Sequence, residues 1–219
     1  LGPAPLRPYN PHCALYHFRW FWDYSGGQMT NLGTHDLDFV YLLLGVKGPT
    51  SVFSAGGRFA LQDNGETPDT QDALLQYPGF TVTISIREAS AGRRQGGGTE
   101  FFGTNGSMTV GRGAYEVFPD TRVAPERMIP PWSNPPGHPQ PADIKPAPRT
   151  EARKGRSPSD EPMDLHKRNF LECIKSRQMP TADVEQGHLV STACHLANLS
   201  LRLGRPLRWD AAKEDIIGD

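Results

Sequence analysis

In the stretch SGGQMTNLGTHDLD, residues 25 to 38, Asn31, His35 and Asp38 follow one another at spacings of four and three inside an otherwise apolar run. Laid on a helix at about 100° per residue they form one narrow stripe with Leu42, while Met29, Leu32, Val40 and Leu43 cluster on the far side. Leu37, Phe39, Tyr41 and Leu44 fill the flanks, so a helix buried nearly all round is expected, with Asp36 projecting into its apolar side. A histidine has an ordinary pKa near ~6.5 and exchanges protons near neutrality, and a carboxylate one turn on can orient its ring and fix its tautomer. An amide one turn before it can both donate to and accept from a hydroxyl. Together they suit alcohol chemistry. The same spacing equally fits a buried histidine that Asp38 satisfies for fold specificity alone.

Other groups are less compactly placed. His188 and His195 lie seven apart on one helix with no carboxylate or thiol at ligand spacing, which is the pattern of surface or interface histidines, and no metal is assigned. The glycine-rich, basic segment GRRQGGGTE reads as a hairpin tip, because no helix follows whose N-terminus would hold an anion. The aromatic run from Tyr16 to Tyr24, with Arg19 and Asp23 interleaved, is as much a packing cluster as a face for a sugar ring. Nowhere does G-x-G-x-x-G follow a strand and open a helix; GRGAYE at 111 to 116 begins that way and fails at Glu116. No cofactor-binding residue is therefore assigned.

The element that must carry the stripe is a helix from Ser25 to Leu44, stopped at Gly45. Ahead of it, Pro3, Pro5, Pro8 and Pro11 predict a loop or extended arm packed by its aromatics. Between Pro49 and Phe118 the period changes to two, in SVFSAGGRFAL, DALLQY, FTVTISIRE, TEFFGT, SMTVG and YEVF, with YPGF and GTNGS as turns; five or six mostly antiparallel strands are expected. Residues 119 to about 160 read as a proline-rich excursion without structure of its own. Ser159, Asp160 and Glu161 then open a helix with an apolar stripe at Leu165, Phe170, Leu171 and Ile174, ending near Arg177. A last helix runs from about Asp183 to Leu203, stopped by Gly204 and Pro206, and PLRWD gives a short strand. This order predicts an α+β fold, helices on one face of a mostly antiparallel open sheet whose other face is left for a partner.

A chain of 219 residues buries roughly 70 % of its extended surface, enough for a real core, and its net charge of −1 gives no basis for binding nucleic acid. No apolar run approaches the length of a membrane span, and LGPAPLRPYNPHC lacks the features of a signal peptide. Cys13, Cys173 and Cys194 form no CxxC pair and are compatible with a reducing compartment. No compartment is assigned. A chain opening at Leu1 reads as one domain, 1–219, of a longer protein.

GGQMTNLGTHDLDFVYLLLG resembles the Gly-Gly…Gly-x-His-x-x-Asp…Leu-Gly helix that opens the C-terminal domain of the Gfo/Idh/MocA oxidoreductases, relatives of glucose-fructose oxidoreductase and inositol dehydrogenase. HKRNFLECIKSRQMPTADVEQGHLVSTACHLANLSLRLGRPLRWD is similar to that family's closing helix, turn, helix and strand, and LGPAP with FRWFWDYSGG looks like a bacterial dehydrogenase branch. The resemblance implies a fold of the glyceraldehyde-3-phosphate dehydrogenase C-terminal type and a parent whose separate Rossmann half holds NAD or NADP. This chain would supply the substrate-binding half, inactive alone and forming dimers or tetramers through the open sheet. In the family a lysine of the Rossmann half works with an aspartate and with a histidine four residues later on this helix. His35 matches the histidine, and Asn31 stands where the aspartate is usual. The implied roles are His35 and Asn31 in catalysis on a sugar or polyol hydroxyl, and Asp38, Arg19, Trp22, Asp23 and Tyr24 in the substrate pocket. An NAD-dependent glycosidase of the same superfamily and a non-catalytic binding or oligomerisation module are the alternatives.

Overall fold

The computed structural model describes residues 2–90, 98–120, 148–158 and 162–218. Its contacts divide the chain into two compact units, Leu1–Gly97 with Arg177–Asp219, and Gly98–Ser176.

The first unit holds the α1 helix, Gly27–Leu44, and the strands β1 (Ser51–Gly57), β2 (Thr70–Tyr77) and β3 (Phe80–Arg87). Its C-terminal part adds a long helix, Val184–Leu203, and two short strands, Leu207–Asp210 and Asp215–Ile216. The second unit holds β4 (Thr99–Gly103), β5 (Gly106–Val110), β6 (Ala114–Pro119), β7 (Arg153–Arg156) and the α2 helix, Pro162–Ser176. In chain order the long C-terminal helix is α3, and the two short strands are β8 and β9. The fold is α+β, as expected, and among the described residues every strand pairs antiparallel.

The strands form two sheets, ordered β3-β2-β1-β8-β9 and β4-β5-β6-β7, where one sheet was expected. Period-two patterning identifies strands but carries no statement of which strand pairs with which. In the first sheet Val52 pairs with Leu75 and Leu75 with Val82, so alternate residues share one face. Val52, Ser54, Gln71, Ala73, Leu75, Tyr77, Ile84 and Ile86 turn inward and are buried, and α1 and α3 cover that face. The opposite face carries Phe53, Leu74, Thr83 and an Asp72–Arg87 ion pair, all exposed.

Three expectations are revised. The aromatic arm is not extended: Pro11–Cys13 and Leu15–Trp20 form short 3-10 helices, the first started by the Asn10 side chain accepting from the His12 N–H with Pro11 at a position that needs no donor. The excursion has structure at Arg153–Arg156, which pairs with Ala114–Val117; its basic sequence shows no strand signal because it contributes mainly backbone to the pairing. Residues 121–147 of the excursion, the GRRQGG part of the tip at 92–97 and the helix-opening Ser159, Asp160 and Glu161 lie outside the described residues. Third, α1 is buried along one face only: Met29, Gly33, Leu37, Val40 and Tyr41 are buried, whereas Leu32, His35, Asp36, Leu42 and Leu43 are exposed. Among the described residues this eighteen-residue helix packs mainly against α3, and its outward side stays exposed.

Within the second unit the α2 stripe of Leu165, Phe170, Leu171 and Ile174 is between 43 % and 59 % exposed. The hairpin β4–β5 turns through Gly103–Gly106, the Asn-Gly turn read from the sequence.

Candidate functional site

The start of α1 is fixed by two glycines. Gly27 takes φ +68°, and a Cβ there would lie 2.6 Å from Thr67 Cβ; a Cβ on Gly26 would lie 2.6 Å from Asn198 Nδ2. The Gly26 carbonyl accepts from Asn198 Nδ2 at 2.8 Å, so any side chain here would push α1 off α3. From Asn198 a buried polar chain continues: Gln71 Nε2 donates to Asn198 Oδ1 at 3.2 Å and to Ser54 Oγ at 3.0 Å, and the Ser54 N–H donates to Ser200 Oγ at 3.0 Å. Gln71, Asn198, Ser54 and Ser200 are all buried. The network ties the first turn of α1 to both α3 and the sheet.

Further along, buried Gly33 faces Cys194 of α3. Cys194 Sγ lies 3.8 Å from where a Gly33 Cβ would be and 3.7 Å from Thr34 Oγ1. Burial pushes the Cys194 thiol up to about 11, which leaves it a packing group and no nucleophile. On the sheet side Tyr77 donates its hydroxyl to Tyr41 at 3.2 Å, with the rings edge to face, and burial pushes Tyr41 up to about 12 and Tyr77 further.

The stripe itself lies on the outward flank of α1 that borders α3. Asn31, half-buried, donates Nδ2 to Gln28 Oε1 at 3.1 Å. Asp38, also half-buried, accepts at Oδ1 from Gln186 Nε2 on α3 at 2.6 Å. His35 between them is exposed and has no hydrogen-bond partner among the described residues. The stripe therefore presents one open imidazole flanked by an amide and a carboxylate that are each held. It can exchange a proton with a bound hydroxyl, and Asn31 Oδ1 and Asp38 Oδ2 keep lone pairs to receive a hydroxyl proton.

The pocket candidates ahead of the helix divide into two groups. The Trp22 N–H donates to Glu66 Oε2 at 2.9 Å, and Arg202 at the end of α3 lies over the Trp22 ring at 5.1 Å. Asp23 is ion-paired with Arg7, whose guanidinium also lies 5.1 Å over the Tyr24 ring. Arg19 is turned back on its own segment, donating to the Tyr16 carbonyl and stacking on Tyr16 and Phe18. The structure brings Trp22, Asp23 and Tyr24 to the threshold of α1 and leaves Arg19 with its local aromatics. His188 hydrogen-bonds Glu214 at 2.8 Å.

Sequence reasoning missed Gln28, Gln186, Asn198, Gln71 and Glu66. Only Gln186 had a sequence signal, since it stands three residues after the helix-opening Asp183, whose carboxylate accepts from the Gln186 N–H at 2.8 Å. Also missed was the fully buried Asp69. Burial alone would raise its pKa, but the N–H groups of Leu61, Phe59 and Ala60 with the Thr70 hydroxyl hold it well below the usual carboxylate range. This carboxylate shapes the loop from Arg58 to Asp69, whose Glu66 and Thr67 N–H groups bond the Trp20 carbonyl at 2.7 and 3.2 Å.

Residues 6–109 match the family model of the GFO/IDH/MocA C-terminal domain. Among solved structures, the WlbA dehydrogenase of Bordetella pertussis, in complex with NADH and UDP-GlcNAcA, is similar at 16 % identity and TM-score 0.53 over 93 % of this chain and 51 % of its own. GenD2 from gentamicin A biosynthesis, in complex with NAD, is similar at 13 % identity and TM-score 0.53 over 90 % of this chain and 52 % of its own. An Agrobacterium radiobacter oxidoreductase in complex with NAD+, L-tartaric acid and magnesium gives 14 % identity and TM-score 0.51 over 84 % of this chain and 49 % of its own. These likenesses concern the fold, and the chain spans about half the length of each structure. No curated protein sequence matches it.

Proposed function

Because residues 6–109 match the family model of the GFO/IDH/MocA C-terminal domain, we propose that this chain is the substrate-binding half of a longer NAD(P)-dependent oxidoreductase acting on a sugar, polyol or related hydroxyl compound. The observation that carries the proposal is the stripe on α1: an open His35 between an anchored Asn31 and an anchored Asp38. In this reading His35 takes the hydroxyl proton as the alcohol is oxidised, Asn31 hydrogen-bonds that or a neighbouring hydroxyl, and Asp38 orients His35. Trp22, Asp23, Tyr24 and Arg19 contribute to the pocket wall. Solved neighbours of the same fold, complexes of NADH with a nucleotide-linked sugar acid among them, support the reaction class.

The described residues do not fit a dinucleotide cradle. Among them every strand pairing is antiparallel, and a phosphate-binding strand–turn–helix unit of the Rossmann kind needs a parallel pair. NAD or NADP, the hydride acceptor in this reading, belongs to a separate domain, and the exposed face of the first sheet, with Phe53 and Leu74, is the proposed contact between subunits.

The test uses the longer protein with a panel of sugars and polyols and either cofactor. His35→Ala is expected to lower kcat about 100-fold or more with cofactor affinity unchanged, the scale of a lost general base. Unaltered turnover would remove His35 from the mechanism. Release of an aglycone without net NADH would replace the dehydrogenase with the glycosidase.

A further inference from the structure

Trp22 stands just ahead of α1, with the guanidinium of Arg202, from the last turn of α3, 5.1 Å from the centre of its ring. One turn before Arg202, Asn198 donates to the Gly26 carbonyl at 2.8 Å. These contacts put Arg202 at the threshold of α1, beside the segment that carries Trp22, Asp23 and Tyr24. The other arginines there are committed: Arg7 to Asp23, Arg19 to the Tyr16 carbonyl at 2.7 Å, and Arg58 to Asp63 and the Thr67 carbonyl. Arg202 is exposed and, among the described residues, has neither a hydrogen bond nor an ion pair. Glu66 is bonded to the Trp22 N–H at 2.9 Å and forms no ion pair with it, and the first turn of α1 holds no acidic residue. A basic residue in a last turn usually answers free carbonyls, but here the backbone does so. The Gly204 and Arg205 N–H groups bond the Leu201 and Ser200 carbonyls at 3.2 and 3.3 Å. A guanidinium seated over an aromatic ring keeps its N–H donors at its edge, where a carboxylate or phosphate receives two at once.

We propose that Arg202 is a specificity-determining residue that binds the anionic group of an acidic sugar, either the carboxylate of a sugar acid or the phosphate of a sugar ester. Trp22 holds the guanidinium in place and keeps water from one of its faces, which strengthens its pull on an anion. A neutral polyol gives Arg202 nothing to neutralise. The inference therefore narrows the substrate class of the proposed function; it rests on that reading for the sugar, and on the contacts of Arg202 for the anion.

The experiment titrates this 219-residue chain with glucuronate, galacturonate, glucose 1-phosphate and glucose 6-phosphate against glucose and galactose. Binding is read by tryptophan fluorescence and by the NMR signal of the Trp22 indole, which is assigned with Trp22→Phe. At least one acidic sugar is expected to bind about 10-fold or more tightly than its neutral counterpart and to shift the Trp22 signal. Whether a uronate or a sugar phosphate binds best then names the anion. Arg202→Gln is expected to abolish the preference and leave the binding of glucose and galactose unchanged. Arg202→Lys, which keeps the charge and loses the two-point contact, should fall between, and it still reports should the Gln variant be unstable by circular dichroism. No acidic sugar bound at about 10 mM, acidic and neutral sugars bound alike, or a preference that survives Arg202→Gln overturns the proposal. In the longer protein, oxidation of neutral sugars with kcat/KM untouched by Arg202→Gln would overturn it and leave the dehydrogenase standing. Arg202-dependent binding of an acidic sugar in a protein that oxidises no hydroxyl compound would keep the anion site and remove the dehydrogenase.

Discussion

At the scale of single residues, the buried polar groups set the geometry. Asp69 is fully buried and accepts three backbone N–H bonds and one hydroxyl, so its carboxylate is stable only as the anion. Its pKa in the folded chain is depressed, so the stability it contributes is present above the ordinary carboxylate value near ~4 and is lost as the pH falls below that value. Asp69→Asn is expected to cost about 1–3 kcal/mol at pH 7. Urea midpoints should show the gap between wild type and variant narrowing from pH 7 to pH 3. A gap independent of pH would mean that the loop is held by shape alone. None of this was legible in the sequence, where Asp69 sits in NGETPDT and looks like any loop aspartate. The stripe was legible, because its three members lie within one helix and their spacing is a local property. Its anchors were not, because Gln186 and Asn198 reach α1 from the far end of the chain.

Among the elements, the C-termini of α1 and α3 and the start of α3 follow from local chemistry. Gly45 and Gly204 take left-handed backbone at the two C-termini, and Asp183 caps α3, all at positions that the sequence marks. What the sequence could not state is how far α1 is buried, since an apolar residue on a helix exposes nothing about whether a neighbour exists to cover it. Leu32, Leu42 and Leu43 stay open, while Gly26, which has no side chain to bury, lies where an added Cβ would meet Asn198 of α3 at 2.6 Å. The register of α1 on its neighbours rests on Asn198, which bonds both the Gly26 carbonyl and the Gln71 amide. Asn198→Ala leaves the Gly26 carbonyl without its donor, removes one of the two acceptors of the Gln71 amide, and is expected to cost about 1–3 kcal/mol. The expected readout is a lowered chemical-denaturation midpoint together with shifted amide resonances in the first turn of α1. A loss of stability with that turn unmoved would separate the network from the placement of the site.

For the molecule as a whole, the first sheet is covered by helices on one side and open on the other, where Phe53 lies opposite Leu74 and Leu74 opposite Thr83. If this face joins subunits, Phe53→Asp with Leu74→Asp should turn an oligomer into a monomer in sedimentation equilibrium without loss of helical signal, since neither residue touches the helical side. A wild-type chain that is already monomeric would remove the face from the proposal. The α+β class could be read from the order of elements, whereas the division of strands between two sheets could not, because pairing is decided by partners distant in the chain.

The hydrogen bond between Asp38 and Gln186 also sets a schedule. Its two residues are 148 positions apart, so at synthesis rates of about 5–20 residues per second the ribosome delivers the second roughly 7–30 s after the first. Until then α1 has neither α3 to lie against nor the donor that fixes its carboxylate. The seam between α1 and α3 thus closes only after the stretch that forms α3 has been made.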